Sequence, residues 1–202
     1  MHAKELKLAG LAETFDRLIS FWHTDPADHA AETGGLNPTA LELGWQNYSL
    51  WHEEDKARRT DVEDSAIAQV KRNIDRFNQR RNDLIEKLDE EILAWLTPQV
   101  DFTRELPINS ETPGSIVDRI FIMSLKVYHM NEDTERTDID DEHRRRSLHR
   151  LAVLREQRCD LERAFNLLLD DYLAGVRKMK VYRQYKMYND PTLNPELYRQ
   201  KG

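Results

Sequence analysis

Apolar residues recur at spacings of three and four along most of the chain, with polar residues between them. That is the period of helices burying one face. A first helix is predicted from Leu11 to Trp22, stopped by His23-Thr24-Asp25-Pro26, because the residue before a proline resists helical geometry. Residues 24–37, with Gly34-Gly35, read as a surface loop. Asn37-Pro38 is a cap followed by proline at the first helical position, and it starts a second helix reaching about Arg59. The third begins near Asp61 or Asp64 and is long. Its seam is Ile67, Val70, Ile74, Phe77, Leu84, Leu88, Ile92 and Trp95, and Pro98 ends it. Thr112-Pro113 starts the fourth by the same cap logic, and the acidic stretch 131–141 after it reads as an exposed loop. A fifth helix spans about Glu142 to Met179 on the seam Leu151, Leu154, Leu161, Phe165, Leu168, Tyr172 and Val176. The tail, 180–202, carries Tyr182, Tyr185, Tyr188 and Tyr198 with Pro191 and Pro195, and is expected to pack back on the bundle.

Composition sharpens this to an all-α fold. Glycine and proline number seven each in 202 residues, and 33% of the chain is charged, which suits long amphipathic helices better than sheet. The expected architecture is one helical-bundle domain over 1–202, of about five helices. A net charge of −7 argues against nucleic acid as a partner. The single cysteine, Cys159, rules out an internal disulfide framework and fits a reducing compartment. No apolar run reaches the ~20 residues of a membrane span, and the first residues form no apolar leader, so a cytoplasmic location is expected.

The candidate chemistry sits where charge interrupts greasy helices. In the fourth helix, Ser115, Asp118, Arg119, Lys126 and His129 fall within about one quadrant of a wheel turning ~100° per residue. Ile116, Val117, Ile120, Phe121, Met123, Leu125, Val127 and Tyr128 fill the remaining circumference. Such a strip faces either a groove or solvent. In the second helix, Leu41, Trp45, Tyr48 and Trp51 form an aromatic face continuing into His52, Asp55 and Arg59, with Glu53 expected on the opposite, polar side. His52 and Asp55, three apart, can supply two metal ligands, and Asp118 with His129 would have to complete the set. The competing reading has His52 packed and hydrogen-bonded in the aromatic face. No metal or cofactor is assigned on these residues.

Arg81 and Arg158 interrupt the seams of the third and fifth helices, and a buried guanidinium requires a carboxylate or an anionic ligand. Asp55 and Asp118 are the natural partners. Ion pairs that fix the register of the bundle, with no ligand, are an equal reading of this constellation. Lys71, Asn78, Asn82 and Asp89 edge the third seam, suited to hydroxyl-rich ligands or to a rim at the water boundary. Gly114, in the first turn of the fourth helix, exposes backbone N–H groups to an anion, although Glu111 opposes one and the Thr112 cap explains the local sequence alone. Arg177, Lys178, Lys180, Arg183 and Lys186 interleave with tyrosines, a pattern of strand binding or of a basic helix end. The chain has no P-loop, dinucleotide fingerprint, paired C-x-x-C or nucleophile elbow.

Three segments carry a resemblance. They are Leu50-Trp51-His52-Glu53-Glu54-Asp55-Lys56-Ala57-Arg58, then Glu111-Thr112-Pro113-Gly114-Ser115-Ile116-Val117-Asp118-Arg119 with Leu125-Lys126-Val127-Tyr128-His129, and Tyr182-Arg183-Gln184-Tyr185-Lys186-Met187-Tyr188-Asn189-Asp190-Pro191. Together they resemble the bacterial domain of unknown function family 4254. The resemblance implies a helical protein whose relatives tend to accompany glycosyltransferases in cell-envelope polysaccharide gene clusters, and it carries over no catalytic residue. The expected function is therefore a polar pocket for a small sugar- or phosphate-containing ligand. Trp51, His52, Asp55, Asn78, Arg81, Asn82, Asp118, Arg119, Lys126 and His129 are its candidate contacts, with His52 and Asp118 able to exchange protons. Two alternatives are a non-catalytic partner of a glycosyltransferase and a metal-dependent hydrolase built on His52, Asp55, Asp118 and His129.

Overall fold

The computed structural model describes residues 2–28, 35–185 and 190–199. It is all-helical, and among the described residues it forms no strand beyond one isolated bridge. In chain order the helices are α1 (His2–Glu5), α2 (Leu11–Thr24), α3 (Pro38–Lys56), α4 (Asp64–Leu96), α5 (Pro113–Glu135), α6 (Asp141–Leu173) and α7 (Pro195–Tyr198), with a 3-10 turn at Pro26–Asp28. Gly34 of the expected first loop, and Lys186 and Tyr188 of the tail, lie outside the described residues.

The caps form as the sequence chemistry requires. The Asn37 side chain accepts from the N–H groups of Thr39 (2.9 Å) and Ala40 (3.2 Å), with Pro38 as the first helical residue. The Thr112 hydroxyl accepts from Ser115 N–H at 3.2 Å ahead of Pro113. Helix α3 stops at Lys56, short of Arg59, and Arg59 instead grips Asp61 in the turn that follows.

Two boundaries differ from the sequence reading for a physical reason. The acidic stretch after residue 130 is helical through Glu135 rather than an exposed loop. Asp133 is satisfied from α6, accepting from Ser147 Oγ (2.6 Å) and His143 Nε2 (2.8 Å), bonds that pull its carboxyl pKa down to about 2, while Glu132 and Glu135 bond His129 and Asn131 of their own helix. Asp140 then caps α6 by accepting from His143 N–H at 2.7 Å. At the other end, α6 stops at Leu173 instead of Met179, because Gly175 takes a left-handed φ of 65° and reverses the chain. Val176 is thereby exposed, while Lys178 N–H reaches Pro107 carbonyl at 2.8 Å and Met179 is buried.

Helix α5 is the hub and packs against α2, α3, α4 and α6. Its Ile116, Val117, Ile120, Phe121 and Leu125 meet Phe15, Leu18, Ile19 and Trp22 of α2, Leu43 of α3, Leu84, Leu88 and Ile92 of α4, and Phe165 and Leu169 of α6. Each such side chain removed from water contributes roughly 1.5–3 kcal/mol. Close approach of α3 to α5 depends on Gly44, where a Cβ would lie 2.4 Å from the Phe121 ring. The tail reaches the bundle through Arg183, which pairs with Glu86 and Glu90, and through Gln184 N–H, which donates to Glu86 at 2.6 Å. Tyr182, Tyr185 and Tyr198 are exposed.

Candidate functional site

The charges of α5 divide between core and surface. Asp118 is 3% exposed and receives a two-pronged grip from Arg81 of α4, Nε to Oδ1 at 2.8 Å and Nη2 to Oδ2 at 2.6 Å. Asn47 of α3 donates to the same Oδ1 at 2.7 Å, so one carboxylate ties three helices together. Asn78 stands beside the guanidinium, its amide oxygen 3.5 Å from Nη1. Hydrogen bonding to Asp118 holds the Arg81 pKa above its ordinary value. Arg119 turns outward to Glu111, and Lys126 is exposed. Arg158, the other seam arginine, pairs with Asp16 of α2 and bonds Ser124 Oγ at 3.1 Å, leaving Asp55 exposed.

The amino end of α5 does receive an anion, and it belongs to the chain itself. Asp89 of α4, 1% exposed rather than on a rim, accepts from Gly114 N–H at 2.7 Å. A Cβ on Gly114 would lie 2.6 Å from Ile85 carbonyl oxygen, so this approach is available only to glycine. Burial raises the Asp89 carboxyl to about 6, against the lowering effect of its bonds from Thr112 and Gly114. Glu53, expected on the polar side of α3, is also buried and takes Lys56 (2.7 Å) and Asn73 (3.0 Å).

A second cluster forms where the carboxy-terminal parts of α2, α3 and α5 meet. His23, His52 and His129 pack against one another with ring centroids 5.1–5.8 Å apart and planes crossing at 71–82°. A ring nitrogen from each lies within 4.8 Å of one from the other two. The surrounding wall is aromatic: Tyr128 stacks on His23 (4.3 Å, 19°), Trp51 stacks on His129 (5.0 Å, 8°), and Tyr48 stands edge-on to His52 (4.5 Å). His23 Nδ1 donates to Ile19 carbonyl and His129 Nδ1 to Glu132 carboxylate, both at 2.8 Å. Both partners can only accept, so the tautomer with its single proton on Nδ1 leaves the lone pair of each ring on Nε2. The Nε2 atoms of all three rings are buried without a hydrogen-bond partner. Burial, then the proximity of His23 and His129, lowers the pKa of His52.

Two cavities flank Trp51. One, of about 390 Å³, is lined by Asn47, Leu50, Trp51, Glu54, Asp55, Arg58, Arg81, Ile122 and Leu125. The other, of about 520 Å³, runs between α5 and α6 past Trp51, Lys126, His129 and His149. Trp51, Asp55 and Arg81 thus share one hollow, and Trp51, Lys126 and His129 the next. Asn78, Asn82, Asp118 and Arg119 line neither cavity, and His52 sits with the other histidines. Of the four residues that the sequence offers as metal ligands, His52 and His129 come together. Asp118 is held by Arg81, Asp55 is exposed, and the third histidine is His23, which the sequence showed only as part of a helix stop. Its one sequence signal is the position four residues after Ile19, at the edge of the stripe Phe15, Leu18, Ile19 and Trp22.

Residues 38–181, more than half of the chain, match the family described as Protein of unknown function (DUF4254). The chain belongs to this family. Neither the curated proteins nor the solved structures offer a match. The family segment takes in α3 to α6 with Arg81, Asp118, His52, His129 and both cavities around Trp51. Helix α2 and its His23 lie before it. Among the described residues no helix is long and apolar enough to cross a membrane.

Proposed function

We propose that this chain binds a small hydroxylated molecule bearing an anionic group, of the sugar or sugar-phosphate class, in the 390 Å³ cavity beside Trp51. The observation that carries the reading is the mixed wall of that cavity. An indole and the apolar Leu50, Ile122 and Leu125 suit the faces of a sugar ring, and Asn47, Glu54 and Asp55 suit its hydroxyls. Arg81 is held in place by Asp118 and Asn78, so its position is set before any ligand arrives. Arg58, exposed on the rim, supplies a second cation. The envelope-polysaccharide setting implied by the family resemblance supplies ligands of this chemistry.

The test is a thermal-shift and titration panel of nucleotide sugars and sugar phosphates on the whole chain. At least one class stabilises the protein, and Arg58→Ala weakens that ligand about tenfold, the worth of one charge-assisted hydrogen bond of ~1.5 kcal/mol. Arg58 is exposed and its i,i+4 ion pair with Glu54 is worth only about 0.3–0.5 kcal/mol, so the unliganded melting temperature moves by no more than about 2 °C. No stabilisation across the panel, or equal affinity in the variant, removes the reading.

A further inference from the structure

We propose that His23, His52 and His129 form a binding site for one borderline divalent transition-metal ion of the zinc class, held through their three Nε2 atoms. This site is separate from the sugar pocket and stands or falls without it.

Three buried polar atoms of the cluster have no hydrogen-bond partner. A buried imidazole nitrogen lacking a partner is costly, and native proteins rarely leave one. Here three are buried together, from three helices, with a ring nitrogen of each within 4.8 Å of the others. Aromatic packing alone does not account for them, since phenylalanine would fill the same wall without orphaned nitrogens. Hydrogen bonding between the rings does not account for them either, because none of the three Nε2 atoms has a partner.

The ring nitrogens are close enough to share a centre. The planes cross at 71–82° rather than stacking, and one nitrogen of each ring lies within 4.8 Å of one from each of the other two. A tetrahedral ion with bonds of ~2.0–2.1 Å requires nitrogens about 3.3 Å apart, which small side-chain rotations supply from the observed spacing. Two of the rings are already fixed in the ligating tautomer from behind. Ile19 carbonyl orients His23, and the Glu132 carboxylate orients His129, the outer-shell arrangement that metal-bound histidines use.

The donor set names the ion. Three neutral nitrogens, with no carboxylate or thiolate in the cluster, suit Zn²⁺, Co²⁺, Ni²⁺ or Cu²⁺ and offer nothing to Ca²⁺ or Mg²⁺. The charged groups nearby are Glu132 behind His129 and Asp55 and Lys56 near His52. His23 also lies in the last turn of α2, where the helix dipole favours a cation. Three protein ligands leave a fourth position for a water or a ligand oxygen, the composition of catalytic rather than structural zinc centres.

The experiment strips the full-length chain with a chelator, adds Zn²⁺ or Co²⁺, and measures bound metal after gel filtration together with the Co²⁺ visible spectrum. About one ion per chain is expected, with the intense absorption of four-coordinate Co²⁺. His23→Ala, His52→Ala and His129→Ala each lower affinity at least about a hundredfold. Glu132→Gln, a positioning residue, lowers it about tenfold. His143→Ala and His149→Ala, outside the cluster, bind as the parent does. Because a histidine variant can fail to fold, the side-chain ¹⁵N shifts of the parent protein provide a second readout: Zn²⁺ moves the Nε2 resonances of these three histidines alone. Less than one-tenth of an ion per chain at micromolar metal, Nε2 resonances unmoved by Zn²⁺, or binding lost in His143→Ala or His149→Ala overturns the proposal.

Discussion

Asp89 shows how one side chain can serve the fold and tax it at once. Its carboxylate caps α5 through Gly114 N–H, yet burial raises its pKa to about 6 from the 3.8 of the unfolded chain. Between about pH 4 and pH 6 the native state therefore keeps a proton that the unfolded chain has released. This contribution to stability is complete below pH 4 and lost as pH climbs through 6, a swing on the order of 3 kcal/mol. Asp89→Asn keeps an oxygen for Gly114 and removes the charge. Urea denaturation from pH 4 to pH 7 should show the variant gaining on the parent by up to that amount as pH rises. Parallel profiles for the two proteins would contradict it. The buried Asp118–Arg81 pair works differently, since both charges are present and compensated, and its worth lies in fixing α3, α4 and α5 in one register.

Between elements, contact distance is set by the smallest residues. Gly44 lets α3 approach α5 until the Phe121 ring occupies the space of its missing side chain. Phe121 is 0% exposed and sits edge-on to Phe15, so it has nowhere to retreat. Gly44→Ala gains up to ~1 kcal/mol of helix propensity but overpacks the interface by about 1–3 kcal/mol. A net loss of about 1–2 kcal/mol in chemical denaturation is expected, and Phe121→Leu in the same chain should recover part of it. A stabilised Gly44→Ala variant would mean that the helices are free to separate.

For the whole molecule, the family segment is not the whole packing unit. Phe15, Leu18, Ile19 and Trp22 come from α2, before residue 38, and each is at most 1% exposed against α5 and its neighbours. Removing residues 1–37 uncovers Phe121 and the Trp45–Tyr48 pair that Trp22 covers. The truncated chain should lose its cooperative urea transition and its near-ultraviolet circular dichroism while retaining much of its helix signal. A sharp transition at the parent's midpoint would show that α3 to α6 are self-sufficient. The same truncation removes His23, so the candidate metal cluster also depends on a segment outside the family boundary.

Helix positions and caps were legible in the sequence because they depend on neighbours a few residues away: Asn37-Pro38, Thr112-Pro113 and the seams of α4 and α5 announce themselves locally. The ends of α5 and α6 are not set by the local pattern, since one depends on Asp133 meeting Ser147 and the other on the backbone of Gly175. The sequence places the charges of α5 in one quadrant, but their division into a buried Asp118 and an outward Arg119 follows from where α4 lies. His23 carried almost no signal, because a histidine at a helix end looks the same whether it meets water or two other histidines. The linear chain thus determined the rods and their greasy faces, which are fixed by short-range hydrogen bonding and periodicity. Which of these polar groups face one another was decided only by tertiary packing, since His23 and His52 lie 29 positions apart, Arg81 and Asp118 37, and Asp16 and Arg158 142.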